Sequence, residues 1–326
     1  MRRILVTGAF GQIGSELVPA LRSRYGCENV VAAGHHTKPP KNLLDQGPYA
    51  FLDVRDRSTL TELVRRYDVG VIYHLAAILS AVGEHNPQLA WDVNVNGLYN
   101  ILEVAREYGV EKVFHPSSIA VFGPKTFRVK TPQDSILDPT TIYGVSKAAG
   151  EYLCDYYFTR FGLDVRGIRY PGIISSEALP GGGTTDYAVA MFYEAVEHGR
   201  YVCYVREDTV LPMVYMPDAI DAAVRLMDAD LERLKHHSNF NISSMSFSAK
   251  ELACEIKRHI PNFHCDYDPD PVRQRIADSW PESIDDTAAR EEWGWNPKYD
   301  LRGMVADMIN KLSVRKSEGR LYRKPR

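Results

Sequence analysis

Residues 3–14 read RILVTGAFGQIG, and this stretch decides the fold. Its first five residues predict a buried parallel strand, and the residues from Ser15 onward predict a helix. Between them, three glycines spaced G-x-x-G-x-x-G predict a tight turn that lets the backbone approach a pyrophosphate. The helix that follows presents free N–H groups and the positive end of its dipole. We therefore predict a dinucleotide-binding turn, with contacts from Gly8, Phe10, Gly11, Gln12, Ile13 and Gly14.

Strand-like and helix-like segments alternate over the first 170 residues. The predicted strands are 3–7, 29–33, 49–53, 69–75, 111–117 and 165–170, and the longest predicted helices are 86–108 and 143–161. This alternation predicts an α/β fold with a doubly wound, Rossmann-type parallel sheet. The pattern changes after residue 171. We expect a dinucleotide-binding domain over 1–170, with return segments near 211–245. A smaller substrate-binding lobe with C-terminal helices is expected over 171–326.

Tyr143 and Lys147 are four residues apart in a predicted helix. Because a helix makes 3.6 residues per turn, the phenol and the ammonium lie on one face. A nearby Lys⁺ favours the phenolate and lowers the pKa of a tyrosine. Such a tyrosine is a suitable general base for an alcohol proton, although this spacing alone also occurs on many exposed helices.

A second signal is the serine pair at the end of the predicted strand 111–117. In open parallel sheets, ligands bind at the carboxyl ends of the strands. Ser118 is therefore placed to donate a hydrogen bond to a substrate oxygen. The alternative for such serines is the capping of a turn.

The order of glycine turn, strand-end serine and Tyr-x-x-x-Lys resembles the extended short-chain dehydrogenase/reductase family. Further stretches resemble its cofactor-contacting motifs: Asp53-Val54, Leu75-Ala76-Ala77, Asn94 to Gly97, and Tyr170-Pro171-Gly172. The resemblance implies NAD as cofactor. Beyond the glycine turn, it implies contacts from Asp53, Val54, Leu75, Ala76, Ala77, Asn94, Ser117, Tyr143, Lys147, Tyr170 and Pro171.

Three longer stretches, 179–189, 211–220 and 276–281, resemble signatures of the short-chain-type L-threonine 3-dehydrogenases. This resemblance implies oxidation of the C3 hydroxyl of L-threonine to 2-amino-3-oxobutanoate, within threonine catabolism to glycine or aminoacetone. Tyr143 would be the base, Ser118 would orient the hydroxyl, and Lys147 would assist. The implied substrate contacts are Ser80, Ser118, Tyr143, Thr184, Thr185 and Trp280. Family members pair through the helices that match 86–108 and 143–161, which implies a homodimer.

The choice between NAD and NADP stays open at the residue level. NAD-dependent relatives commonly carry Asp at the end of the second strand, where it binds the ribose hydroxyls. Here the corresponding place is Gly34, with no carboxylate in the stretch 30–38. His35, His36 and Lys38 could instead meet a 2′-phosphate. The family resemblance favours NAD.

Two other functions compete with this interpretation. A nucleotide-sugar epimerase or dehydratase of the same family shares the Ser, Tyr and Lys, but it uses basic residues to hold a diphosphate. Residues 171–190 contain no Lys or Arg, which favours a small substrate. A catalytically silent, cofactor-sensing regulator would be expected to lack Tyr143 or Lys147.

Composition excludes several classes of protein. The 326 residues carry 39 Lys and Arg against 42 Asp and Glu, a net charge of −3, so we expect no nucleic-acid or membrane partner. Five scattered cysteines without a C-x-x-C pair predict reduced thiols and no metal site. With a first strand at residue 3, we expect no targeting segment and a cytoplasmic enzyme. Glu151 and Asp155 are expected to be surface charges, and the pairs His35-His36 and His236-His237 to be exposed loop residues.

Overall fold

The computed structural model describes residues 2–35, 43, 45–177, 179, 181 and 183–322. The residues outside these ranges include His36 and Lys38, parts of the stretch 179–189, and residues 323–326. The described strands are β1 (Arg3–Thr7), β2 (Val30–Gly34), β3 (Tyr49–Phe51), β4 (Val69–His74), β5 (Lys112–Ser118), β6 (Asp164–Tyr170), β7 (Gly172–Ile174), β8 (Arg200–Cys203), β9 (Val210–Tyr215), β10 (Phe240–Asn241), β11 (Met245–Ser248) and β12 (His264–Tyr267).

The described helices surround these strands. They are α1 (Gly14–Tyr25), α2 (Arg57–Arg66), α3 (Ser80–His85), α4 (Pro87–Trp91), α5 (Gly97–Glu107), α6 (Ile142–Phe161), α7 (Tyr187–His198), α8 (Met216–Asp228), α9 (Ala249–His259), α10 (Pro271–Ser279), α11 (Thr287–Trp293) and α12 (Leu301–Ser317). Thr141 caps α6 by accepting a hydrogen bond from the Gly144 amide, and Gly162 ends α6 in the left-handed conformation at φ +69°. The sequence prediction of this helix is therefore confirmed almost to the residue.

The main sheet has seven strands in the order β3-β2-β1-β4-β5-β6-β10, all parallel. This order, with crossover helices on both faces, is that of the Rossmann fold and confirms the predicted fold class. Alternate residues of β1 point into two hydrophobic cores, one on each face of the main sheet. Ile4 and Val6 pack with α1 and α8 on one face, and Leu5 packs with α2, α5 and α6 on the other. Hydrophobic cores on both faces of the main sheet thereby hold the strand ends at which ligands would bind.

The predicted helix 86–108 is interrupted. It consists of α4 and α5, joined by a π-helical turn over Asp92–Asn96. Such turns are rare and often occur at functional sites. Here the extra residue per turn carries the Asn94 side chain into the protein, where it is 4% exposed.

The C-terminal part crosses back to the main sheet through α8 and β10. Helix α8 packs on α1 and β6, and β10 pairs with β6. The strand β9, however, belongs to a separate sheet of order β11-β9-β7. A third core joins these elements to α7, α9 and α12. The division of domains at residue 170 stays a prediction. None of the described helices is long and apolar enough to cross a bilayer.

Candidate active site

A cleft lies at the carboxyl ends of the central strands of the main sheet. Gln12 and Ile13 follow β1, Leu75 and Ala77 follow β4, Ser118 ends β5, and Tyr170 with Pro171 ends β6. A second pocket continues from Leu75 and Ala77 toward the end of β2. Carboxyl ends of parallel strands are where such folds bind ligands. The two pockets together form one groove across the sheet.

The glycine turn fits a dinucleotide. Gly8 has φ +65°, and a Cβ there would lie 2.6 Å from the Ala76 nitrogen, so only glycine fits. A Cβ on Gly14 would lie 2.6 Å from the Cα of Ala9, so this glycine allows the helix to approach the strand. The N-cap residue of α1, Ile13, makes no side-chain cap. The Ser15 and Glu16 amides donate to the main-chain oxygens of Gly11 and Ile13. Because no side chain caps this end of α1, the positive end of its dipole suits a diphosphate.

A carboxylate lies in the second pocket. Asp53 accepts from Arg55 at 2.6 Å and lies 3.2 Å from Nε2 of His35, which directly follows β2. The Arg55 side chain lowers the pKa of Asp53 to about 2. The carboxylate that the sequence of β2 lacks is thus supplied by the segment after β3. Phe10, Val54 and Ala76 line the same pocket.

The structure gives Asn94 a different place from the one that the family motif implies. It does not line either pocket. Its amide instead bridges the main chain of Ile78, accepting from the nitrogen at 2.7 Å and donating to the oxygen at 3.0 Å. It also donates to the Ser146 hydroxyl at 3.0 Å. Asn94 therefore ties the segment after β4 to α6.

Ser118, Tyr143 and Lys147 come together as predicted. The Ser118 hydroxyl accepts a hydrogen bond from the Ala120 amide at 3.2 Å, which caps the turn after β5, and it lies near enough to the Tyr143 phenol to act on its pKa. The Lys147 Nζ lies 5.7 Å from the centroid of the Tyr143 ring and donates to the Pro116 carbonyl oxygen at 2.7 Å. All three residues line the cleft.

The electrostatics of this group differ from the sequence expectation. Burial raises the pKa of Tyr143 to about 12, and only the nearby Ser118 hydroxyl opposes this shift. Burial lowers the pKa of Lys147 to about 8. The expected lowering of the tyrosine pKa by Lys147 is therefore not found in this structure. The cause is desolvation, which disfavours both charged forms at once.

The predicted substrate residues share the cleft with this group. Ser80, Thr184, Thr185 and Trp280 all line it. Asp186, which sequence analysis overlooked although it directly follows the two threonines, lines it as well and accepts from the Gly183 amide at 2.8 Å. Among the described lining residues, Lys147 carries the one cationic side chain.

The prediction of surface charges on α6 is wrong for Glu151. Its side chain is 1% exposed and forms a bidentate ion pair with Arg169, at 2.9 and 2.8 Å. Ser117, predicted to contact the cofactor, lines the cleft but donates its hydroxyl to Glu151 at 2.5 Å. Asp155 is half-buried and accepts from Ser238. The clue in the sequence was spacing, because Glu151 is four residues beyond Lys147 and shares its helix face.

Of the histidines expected to be exposed, His35 is exposed, whereas His236 and His237 are partly buried. His236 lies 2.6 Å from a Glu292 oxygen, and the ring of His237 stacks on Phe158 with centroids 3.8 Å apart. Beneath the cleft, the rings of His74 and His115 stack 6.0 Å apart, and burial lowers the pKa of both. Within the described ranges, no three His, Cys, Asp or Glu side chains are arranged to hold a metal ion.

Comparisons with known proteins agree with this site. The profile of the NAD dependent epimerase/dehydratase family matches residues 4–243. An uncharacterized epimerase/dehydratase of Staphylococcus haemolyticus is 50% identical over 312 residues, covering 96% of this chain and 98% of that protein. The structure is similar to a monomeric L-threonine 3-dehydrogenase from a metagenome, with TM-score 0.91, 52% identity and coverage of 95% and 99%. It is also similar to the L-threonine dehydrogenase of Clostridium difficile, with TM-score 0.94, 50% identity and coverage of 97% and 98%. The chain therefore belongs to the NAD dependent epimerase/dehydratase family.

Proposed function

We propose that this protein is an NAD-dependent L-threonine 3-dehydrogenase that forms 2-amino-3-oxobutanoate. The observation that carries the proposal is the placement of Ser118, Tyr143 and Lys147 in a cleft with no other described cationic lining. Such a cleft suits a small substrate with one carboxylate. The solved structures at about half identity, which bear the name L-threonine dehydrogenase, support the same substrate.

In the proposed reaction, Tyr143 takes the proton of the C3 hydroxyl while Ser118 holds the hydroxyl oxygen. Lys147 binds the nicotinamide ribose and stabilises the phenolate. The chemistry that NAD⁺ supplies when bound is acceptance of the C3 hydride, together with a positive ring charge. That charge matters because burial alone leaves the pKa of Tyr143 at about 12. The residues present favour the phenolate only weakly, so cofactor and substrate must bind before the proton leaves.

The amino acid itself is held by the opposite wall. The hydroxyls of Thr184 and Thr185 and the amides of their turn can donate to the carboxylate. The Asp186 carboxylate lies beside them and has the charge needed for the ammonium group, while Ser80 faces the same space. Closing this wall, Trp280 is 5% exposed and excludes water from the reacting carbon.

The alternative function is that of a nucleotide-sugar epimerase or dehydratase, the name carried by the Staphylococcus relative. A sugar diphosphate needs cationic partners for its phosphates. The described wall opposite the catalytic group offers hydroxyls and one carboxylate instead. This difference in charge favours the amino acid.

The test is incubation of the purified protein with L-threonine and NAD⁺, followed by the absorbance of the reduced cofactor. L-serine lacks one methyl, so it should be about 10- to 200-fold slower. Thr185→Ala should raise KM for threonine more than KM for NAD⁺. Failure with L-threonine together with epimerisation of a UDP-hexose would establish the alternative.

We also propose a homodimer in the cytoplasm. Aromatic side chains that are 43–65% exposed cluster on α5 and α6: Tyr99, Tyr152, Tyr156 and Phe161. Large apolar patches of this kind mark protein interfaces. The name of the metagenomic neighbour describes a monomer, so its relatives need not all pair.

A further inference from the structure

A row of polar side chains runs down the inner face of α6 below the cleft. Tyr143, Lys147 and Glu151 follow one another at intervals of four residues, so they occupy one face of the helix. The first two belong to the reaction proposed above. Glu151 is buried one turn below Lys147 and has no part in that reaction.

Glu151 is tied to both neighbouring strands of the main sheet. Its Oε1 accepts from the Ser117 hydroxyl of β5 at 2.5 Å and from Arg169 of β6 at 2.9 Å. Its Oε2 accepts from a second Arg169 nitrogen at 2.8 Å. The guanidinium also donates to the Gln133 carbonyl oxygen and to Asn241. Hydrogen bonds thus fix both carboxylate oxygens of Glu151 and the guanidinium of Arg169 in one geometry.

The pair meets the catalytic group through consecutive residues of β5. Side chains alternate across a strand. Ser117 therefore turns toward Glu151, while Ser118 ends the strand in the cleft that Tyr143 also lines. Pro116, just before them, accepts from Lys147. Any shift of Glu151 would move the strand end that carries these three residues.

The charge of Glu151 also acts on Lys147. Burial disfavours the ammonium, and the charge of Glu151 acts in the opposite direction. Other titratable or charged groups also face this region from the packed elements; they are Tyr143, Cys154 and Asp155 on α6, His74 on β4, His115 on β5 and Arg169 on β6. The two histidines are buried and neutral, since burial lowers the pKa of each. Glu151 is therefore a fixed anion that acts on Lys147, and Arg169 is the cation paired with it.

We propose that the buried Glu151–Arg169 pair is a positioning element of the dehydrogenase site. It holds the strand end of Ser117 and Ser118 against α6 and sets the proton affinities of Lys147 and Tyr143. The inference rests on the proposed function. A purely structural ion pair would stabilise the fold and leave the proton affinities of the site unchanged.

Two single variants, each of which removes one of the two opposite charges, distinguish a positioning role of the pair from a purely structural one. Glu151→Gln keeps the shape but leaves Arg169 as an uncompensated cation, which favours loss of protons nearby. We expect the acidic limb of kcat against pH to move down by about one unit. Arg169→Gln instead leaves Glu151 as an unpaired anion, which favours protonated groups nearby. The acidic limb of kcat against pH should therefore move to higher pH. The double variant removes both charges and should return the limb toward that of the unaltered protein.

The matched control is the other buried ion pair of β6. Arg166 pairs with Asp164 at 2.8 Å and donates to carbonyl oxygens at the C-terminal end of α8, on the opposite face of the sheet. Arg166→Gln should lower the melting temperature without moving the pH profile. If Glu151 had only a structural role, its variants would likewise lower the melting temperature and leave the pH profile unmoved.

A second measurement does not need threonine. The dissociation constant of NAD⁺ should rise with pH as Lys147 loses its proton, and Glu151→Gln should move this midpoint to lower pH. If the unaltered protein ignores threonine, the proposed function fails while this titration still tests the pair. An unmoved midpoint in a folded Glu151→Gln protein, or shifts of the same sign in both single variants, would overturn the inference.

Discussion

The Nζ atom of Lys147 donates a 2.7 Å hydrogen bond to the main-chain carbonyl oxygen of Pro116. The lysine is therefore anchored to the end of β5 rather than to the tyrosine beside it. This contact helps to keep a charge at a buried position where desolvation lowers the pKa to about 8. It also fixes the distance at which the ammonium can act on the Tyr143 ring.

Removing the phenolic oxygen should abolish most turnover. Tyr143→Phe keeps the ring, so NAD⁺ should still bind, while kcat for threonine falls by about 10²–10⁴, the usual cost of losing a general base. In the unaltered protein, kcat should rise with pH, because the raised pKa keeps the phenol protonated near neutrality. Tyr152→Phe, at an exposed position of the same helix, is the control. Near-normal turnover in Tyr143→Phe would refute the assignment.

Replacing Asn94 should affect both stability and NAD⁺ binding, because its side chain holds the main chain of Ile78. In Asn94→Ala, the main-chain groups of Ile78 lose their partners, at a cost of about 1–3 kcal/mol in the free energy of unfolding. The same loss should weaken NAD⁺ binding, because the adjoining Ala76 and Ala77 line the groove. Asn96→Ala, exposed on the same π-helical turn, should change neither quantity. Equal effects from both variants, measured by urea unfolding and cofactor titration, would contradict this role.

Installing the missing aspartate at Gly34 needs a second change. A Cβ at Gly34 would lie 2.0 Å from Cδ2 of Phe10, so Gly34→Asp alone should displace the ring and weaken both cofactors. Phe10→Ala removes the clash. The double variant should discriminate more strongly against NADP⁺ than Phe10→Ala does, judged by the ratio of kcat/KM values. An unchanged ratio would mean that the ribose is recognised elsewhere, with Asp53 the nearest carboxylate.

Glu16 should make stability depend on pH. Burial raises its pKa from 4.5 to about 7 in the folded protein, although the Ser175 hydroxyl donates to it at 2.6 Å. The folded state thus binds a proton that the unfolded state releases between these values. Its stabilising effect is complete below pH 4.5 and is lost as the pH rises through 7. Glu16→Gln should therefore gain roughly 3 kcal/mol relative to the unaltered protein across that window. Glu62→Gln, an exposed control, should show no such trend in melting temperature.

The proposed dimer can be tested by light scattering. At micromolar concentration we expect twice the mass of one chain. Tyr156→Asp, at the centre of the aromatic cluster on α6, should yield monomers, because an isolated carboxylate is costly to bury. Val272→Asp, an equally exposed apolar position on α10, is the control. A monomeric unaltered protein would exclude the dimer without affecting the catalytic proposal.

The local sequence predicted those parts of the site that depend on local geometry. The strand β1, the glycine turn and the Tyr143–Lys147 spacing follow from backbone rules that act over a few residues. The burial of Glu151 could not be predicted in this way, because Arg169 is 18 residues away and the two meet only when β6 pairs with β5. Asp53 was expected to contact the cofactor, but its position beside the end of β2 could not be predicted locally, since it depends on the pairing of β2 with β3. The pKa of Tyr143 was misjudged because charge spacing was considered without desolvation.

Helix α6 serves the reaction on one face and, by our proposal, a subunit contact on another, so its length is under a strict constraint. Each residue turns a helix by about 100°. A single deletion between Lys147 and Glu151 would rotate everything after it by that angle, aim the carboxylate away from Arg169 and point the exposed aromatics in a new direction. Related proteins should thus tolerate many replacements along this helix but almost no insertions or deletions, and recombination between them should succeed only where the crossover leaves this register intact.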